Sequence, residues 1–313
     1  MPFTAKSGKF NASINTVEFG TGDKAVKIGG ENVFPLYSFD AAIENAPKVG
    51  IEITDFGMEH EPECIKKYYE GCATLADMAR KAASMEGVDF LSFRMEGGDP
   101  NGANKSTEEL IGELKEIADA VDLPLVVCGC KNVEKDAELF SKAAEALNGK
   151  NAVILSAKEE NYKTVGAAAG LAYKQVVGAE SAVDINLAKQ LNVLISQLGV
   201  DSKSVVMNVG SAAVGYGFEY VISTMDRVKA AALGQADAQL QMPIITPVAD
   251  EAWNVKEAMA SEDDMPEWGN QEERGIGMEV STAASVLACG SNAVILKHPT
   301  SVATISKLIK EMM

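Results

Sequence analysis

About eight short apolar stretches recur along the chain, each followed by a segment with helical spacing of its apolar positions. The stretches are Gly50 to Phe56, Phe90 to Glu96, Pro124 to Lys131, Ala152 to Lys158, Gln175 to Ala179, Ser204 to Val209, Pro243 to Val248 and Ala293 to Lys297. Between them, residues such as Leu75, Met78, Ala79, Ala82 and Ala83, or Leu187, Leu191, Leu194 and Leu198, recur every three or four positions, which predicts helices with one buried face. Strand followed by helix, repeated, is the order that builds a parallel sheet.

Such a sheet either stays open, with helices on both faces, or closes into a (β/α)8 TIM barrel. Eight units between Gly50 and the last residue, Met313, fill close to the roughly 250 residues usual for the closed form. The open, doubly wound alternative is disfavoured because no dinucleotide-type glycine fingerprint follows the first strand. The predicted organisation is therefore an N-terminal extension over 1–48 and a TIM barrel over 49–313. Within the extension, Ser13 to Phe19 and Ala25 to Ile28 flank the turn-rich Gly20-Thr21-Gly22-Asp23, the pattern of a β-hairpin. Phe34-Pro35-Leu36 then leads into a short segment ending at Pro47. A hairpin in this position either plugs the bottom of the barrel or touches another subunit.

Sites on this architecture lie at the carboxyl ends of the strands. If Leu91, Phe93 and Met95 face the helices, alternation sends Arg94 and Glu96 inward, and similar logic turns Glu52, Thr54, Ser156, Lys158, Asn208, Thr246 and Lys297 into the mouth. Both signs of charge meet there. A pocket would use a Lys as Schiff-base nucleophile or a Glu as acid or base. Ion pairs filling the mouth are the favoured reading, because a lone charge inside a barrel is costly.

Composition narrows the partners. Acidic residues outnumber basic ones 45 to 28, a net charge of −17, which argues against a nucleic-acid backbone as ligand. The apolar runs fall short of a membrane span of roughly 18 residues, and the first twenty residues lack a signal-peptide core, so the expectation is a cytoplasmic protein without a membrane partner. The five cysteines (Cys64, Cys72, Cys128, Cys130, Cys289) are odd in number and scattered, unlike a disulfide framework. Alternation places Cys128 and Cys130 on one strand face, where they are expected as small buried hydrophobes rather than metal ligands.

Of the two histidines, His60 sits in an acidic loop, whereas His298 follows the eighth strand at the top face. The zinc-protease, nucleophile-elbow and P-loop signatures do not occur. Two loops stand out instead. The glycine-rich run Gly210 to Gly217 enters a helix from Phe218, where free N–H groups suit an anion or an amide. The connection from Asp250 to Arg274, about 25 residues long, carries both tryptophans, Trp253 and Trp268, and is expected to contact a partner or a large ligand.

The segments VGIEITDFG (49–57), FLSFRMEGGDPNGANKS (90–106), PLVVCGC (124–130), NVGSAAVGYGFEYVISTMDR (208–227) and MPIITPVADEAW (242–253) resemble the small subunit of the corrinoid iron-sulfur protein of the anaerobic acetyl-CoA pathway. The pterin-binding methyltransferase barrels are its more distant relatives. The resemblance implies a heterodimeric methyl carrier. In it, the cobalt of a cobamide accepts a methyl group from methyltetrahydrofolate through a separate methyltransferase and passes it to acetyl-CoA synthase. It further implies that a large subunit supplies the iron-sulfur cluster and most of the cobamide-binding fold, that the small barrel covers the other side of the corrin, and that no catalytic nucleophile lies in this chain. The histidines fit that division, since neither lies in a D-x-H-x-x-G cobalt-ligand motif.

Strand-end and loop geometry nominates Asp184, Asn208, Ser211, Tyr216 and His298 as cobamide contacts. Two rivals remain: a methyltransferase binding methyltetrahydrofolate itself through Asp99 and Asn208, and a Schiff-base enzyme using Lys158 or Lys297.

Overall fold

In a computed structural model describing residues 8–34, 36 and 38–313, strand β1 (Val17–Phe19) pairs antiparallel with β2 (Val26–Ile28), Val17 opposite Ile28 and Phe19 opposite Val26. Pro35 of the segment after the hairpin lies outside the described residues. Eight parallel strands follow: β3 (Lys48–Thr54), β4 (Phe90–Arg94), β5 (Leu125–Cys128), β6 (Val153–Ala157), β7 (Val176–Glu180), β8 (Val205–Asn208), β9 (Ile245–Pro247) and β10 (Ala293–Leu296). Their spatial order is β8-β7-β6-β5-β4-β3-β10-β9, and a parallel bridge between Met207 and Ile244 joins the two ends. The Met207 amide donates to the Pro243 carbonyl at 2.8 Å across that seam. The sheet is therefore a barrel and not an open doubly wound one. The seam is thin because β9 is short and ends on Pro247, which has no N–H to extend the ladder.

Side chains sort into two apolar layers. Leu91, Phe93 and Met95 point outward into the layer under the helices, as alternation predicts. Phe90, Val126, Val153, Val176, Val206, Ile245 and Ala293 point inward, and the same interior cluster takes in Val17, Phe19, Val26 and Ile28 of the hairpin. Phe19 meets Phe90 edge to face, centroids 5.5 Å apart. The hairpin thus plugs the barrel floor. Gly50 makes room at that level: a Cβ there would lie 2.2 Å from the Phe90 ring.

Helices cover the barrel over Leu75–Ala83, Thr107–Ala120, Val133–Ala146, Ile185–Gln197, Phe218–Lys229, Gln271–Ala288 and Pro299–Met312. Most start on a side-chain cap that satisfies free N–H groups. Thr74 and Asp77 form a reciprocal capping box, and Ser106, Asn132, Asp184, Asn270 and His298 each accept from the first turn of the helix that follows. No helix among the described residues is long and apolar enough to cross a membrane.

The connection from Asp250 to Arg274 is not an open loop. It contains short helical pieces at Lys256–Met259 and Pro266–Trp268. Arg274 secures it by donating to the carbonyls of Glu257, Ala260 (2.7 Å) and Gly269 (3.3 Å). Trp253 is buried, its ring lying where a Cβ on Gly275 would be and stacked on His298 at 5.7 Å. This tryptophan packs on its own barrel. Trp268 keeps part of its surface, between Lys256 and Arg274.

Candidate functional site at the barrel mouth

A cavity of about 350 Å³ opens at the carboxyl ends of β4 to β9. Its floor and walls include Arg94, Cys128, Leu155, Ser156, Asn208 and Pro247, and its rim Lys131, Lys158, Glu180, Val183, Ser211 and Asp250.

The cations of this wall are all paired. Arg94 donates to Glu52 at 3.0 Å and lies 3.7 Å from Asp250. Lys131 reaches Asp250 at 2.6 Å, and Lys158 reaches Glu180 at 3.3 Å. Burial pushes the Asp250 carboxyl up, but the Arg94 guanidinium and Lys131 ammonium more than offset it and hold Asp250 below its ordinary range. Lys297 lies nearby, bonded to Glu61 at 2.7 Å. Burial pulls its pKa down, yet Glu61 and Glu52 hold it above the usual lysine value, so the amine stays protonated and is a poor Schiff-base nucleophile.

The expected orientations fail at two places. Thr246 does not face the mouth: its neighbours Ile245 and Pro247 do, and its hydroxyl bonds Ser291 at 2.8 Å outside the barrel. Cys128 and Cys130 do not share a face either. Cys128 belongs to the barrel interior, 3.5 Å from the Ser92 hydroxyl, whereas Cys130 packs in the outer layer, because β5 ends at Cys128 and the chain turns at Gly129. Burial pushes the Cys128 thiol up to about 12. Among the described residues, no group of His, Cys, Asp and Glu is placed to hold a metal ion.

The nominated residues divide. Asn208 and Ser211 line the cavity. The Asn208 amide donates to Ser156 Oγ at 3.1 Å and its carbonyl oxygen accepts from Gly210 N at 3.1 Å, which fixes the amide's orientation. Ser211 Oγ is buried without a hydrogen-bond partner among the described residues. Tyr216 sits farther along the same loop, exposed, its hydroxyl donating to Glu257 at 2.6 Å. Asp184 is a helix cap outside the cavity lining, accepting from Asn186 N at 2.7 Å. His298 is fully buried and caps the last helix, Nδ1 accepting from Thr300 N at 3.1 Å. Its Nε2 lies 3.2 Å from Glu272, without hydrogen-bond geometry. Burial lowers its pKa to about 4, against the opposing pull of Glu272, so the ring is neutral. Asp99, the pterin nominee, accepts from the Asn101 amide at 3.0 Å on a turn outside the cavity.

One feature of the rim gives no signal in the sequence. Ala182 and Val183, after β7, both hold left-handed backbones, φ 44° and 60°. That conformation is rare for alanine and strained for a β-branched residue, and strain of this kind collects at functional sites. It presents Val183, 41% exposed, beside Gly210, where a Cβ would lie 3.3 Å from the valine methyl. Tyr220, 66% exposed, is tied to the same turn through Thr224, whose hydroxyl bonds the carbonyls of both Val183 and Tyr220. With Tyr216 these residues give the rim an apolar border next to a polar cavity.

Residues 16–298 match the family described as CO dehydrogenase/acetyl-CoA synthase delta subunit. The chain belongs to that family. Relatives named acetyl-CoA decarbonylase/synthase complex subunit delta include those of Methanopyrus kandleri, 32% identical over 94% of this chain and 72% of that one, and Methanothermobacter thermautotrophicus, 31% identical over 97% and 76%. The delta 1 subunit of Methanosarcina thermophila is 29% identical over 94% and 67%. In three dimensions the delta-family chain is similar to the dihydropteroate synthase of Vibrio fischeri ES114, with a TM-score of 0.56, 10% identity and coverage of 94% and 97%. It is also similar to that of Xanthomonas albilineans solved with 4-aminobenzoic acid, with a TM-score of 0.55, 12% identity and coverage of 95% and 98%. At such identity the likeness shows the fold alone.

Proposed function

We propose that this delta-family chain is the small subunit of a corrinoid iron-sulfur methyl carrier, and that its barrel mouth covers a cobamide housed mainly by a large iron-sulfur subunit. The observation that carries the reading is the family match over residues 16–298, joined to the segment-by-segment resemblance in the sequence. The cobamide supplies a cobalt that takes up and gives away a methyl group between a methyltetrahydrofolate-dependent methyltransferase and acetyl-CoA synthase.

The residues at the mouth suit a corrin laid on the rim better than one sunk in the barrel. A cavity of about 350 Å³ stands at the small end of ligand pockets and is too small for a macrocycle. The exposed Val183, Tyr216 and Tyr220 offer an apolar border for a flat ring, and Asn208 and Ser211 stand behind it as polar contacts. A low-dielectric cover of this sort excludes water from a strongly reducing centre and has to move aside for transfer. The buried, neutral imidazole of His298, held between Trp253 and Tyr68, is not presented as a ligand to an outside metal.

The test is anaerobic co-purification. A larger iron-sulfur protein and corrin absorbance travel with this chain, and Asn208→Ala and Tyr216→Ala each weaken cobamide retention in the reconstituted complex. Wild-type retention in both variants removes this face as the site, and tight binding of methyltetrahydrofolate to the isolated chain supports the pterin-binding alternative instead.

A further inference from the structure

The mouth cavity opens over only part of the barrel. It is lined from the ends of β4 to β9, and among the described residues none from β3 or β10 borders it. That side is occupied by the Arg94–Glu52 and Lys297–Glu61 pairs, all four side chains largely buried. Glu61 comes not from a strand end but from the connection after β3. Residues 129–132 and 181–184 suffice to join β5 and β7 to the helices that follow, whereas this connection runs from 55 to 74. It lies against the starts of the helices Gln271–Ala288 and Pro299–Met312, where Lys67 pairs with Glu272 and Tyr68 Oη stands 3.3 Å from both Glu272 and Thr300 Oγ1.

Opposing terms hold this segment in place. Ile65 and Tyr69 bury apolar surface and keep it down. The same closure leaves Tyr69 Oη within the segment, and His298 Nε2 under the Tyr68 ring, buried without a hydrogen-bond partner among the described residues. An unpaired buried polar group is a cost that contact with water relieves, so the closed position is opposed from within. Each end turns on a left-handed glycine, Gly57 at φ 59° and Gly71 at φ 84°, and a Cβ on Gly71 would meet nothing within 4 Å. We propose that residues 58–70 form a lid over the β3–β10 side of the mouth, hinged at Gly57 and Gly71 and latched by Glu61–Lys297 and by the Glu272 contacts. Lifting it frees Lys297 and joins that side to the cavity, so that the mouth opens over all eight strands. The lid stands or falls independently of the cobamide reading above, since its latches and hinges all belong to this chain.

Amide hydrogen exchange and amine acylation, both read by mass spectrometry on the full chain, test the lid. In the wild type, amides of residues 58–70 are protected about tenfold less than those of the helices Thr107–Ala120 and Val133–Ala146, because they open locally. Tyr68→Phe touches neither Glu61 nor Lys297, yet it speeds exchange of the lid amides about threefold and acylation of Lys297 by the same factor, with the two helices unchanged. A shared factor is what a single moving unit requires. Tyr69→Phe removes the unpaired hydroxyl and slows both readouts about threefold, a direction that poor folding of a variant cannot imitate. Lid amides as protected as the helices overturn the proposal. So does a Lys297 that fails to follow the amides in Tyr68→Phe, or unchanged or faster exchange in Tyr69→Phe.

Discussion

Lys229 Nζ donates to Glu31 Oε1 at 2.9 Å in full burial, joining the last helical turn before residue 230 to the N-terminal extension at the barrel floor. Asn292, just before β10, completes the arrangement, accepting from Lys229 at 2.9 Å and donating to Glu31 at 2.8 Å. Burial pushes the Glu31 carboxyl up, and the Lys229 ammonium and Asn292 amide more than offset it, keeping it ionised. Removing one member leaves a buried charge without its counterpart. Lys229→Met and Glu31→Gln are each expected to cost about 3–5 kcal/mol, whereas replacing both with apolar residues costs far less. Urea unfolding of the two single variants and the double variant measures this; additive losses would mean the two groups do not act as a pair.

The buried imidazole of His298 makes stability depend on pH. Its pKa is about 4 in the fold against 6.5 when exposed, so between those values the unfolded chain binds the extra proton. Stability is then fully present above about pH 6.5 and declines as pH falls toward 4, by roughly 3 kcal/mol from this group. His298→Asn keeps a capping side chain and removes the titration. Unfolding free energies of the two proteins from pH 7 to 4.5 are expected to converge as pH falls, and parallel curves would place the acid sensitivity elsewhere.

Val183 separates stability from binding. Its left-handed backbone is unfavourable for a β-branched residue and open to glycine. Val183→Gly is expected to raise the unfolding free energy by about 1 kcal/mol, while cobamide retention by the complex falls because the exposed methyls at the rim are gone. A destabilised Val183→Gly with full retention would show that the turn is held for folding alone.

The lysines at the mouth offer a negative control on chemistry. With Lys158 salt-bridged and Lys297 held protonated beside Glu61, borohydride reduction in the presence of simple carbonyl compounds is expected to leave the mass of the chain unchanged. A trapped adduct on either lysine would restore the Schiff-base reading.

Much of the architecture was legible along the chain because strand and helix orientation are local properties. Apolar runs spaced by helical segments specify a parallel barrel, the alternation around Phe90 to Met95 sorts inside from outside, and the turn-rich Gly20 to Asp23 marks the hairpin. That Asn208 and Ser211 line the mouth cavity was also within reach, since cavities of a barrel open at its strand ends.

What the tertiary structure alone decided concerns partners drawn from different units. Asp184 and His298 have the same sequence credentials as Asn208, yet the turns after their strands lead straight into helices whose free N–H groups claim them as caps. Cys128 and Cys130 part company because alternation lasts only as long as the strand does. Trp253 turns inward onto Gly275 and His298, Glu31 finds Lys229 nearly two hundred residues away, and Asp250 reaches across the mouth to Arg94 and Lys131. Periodicity tells which way a side chain points from its own element; only closure of the barrel sets which distant element it then meets.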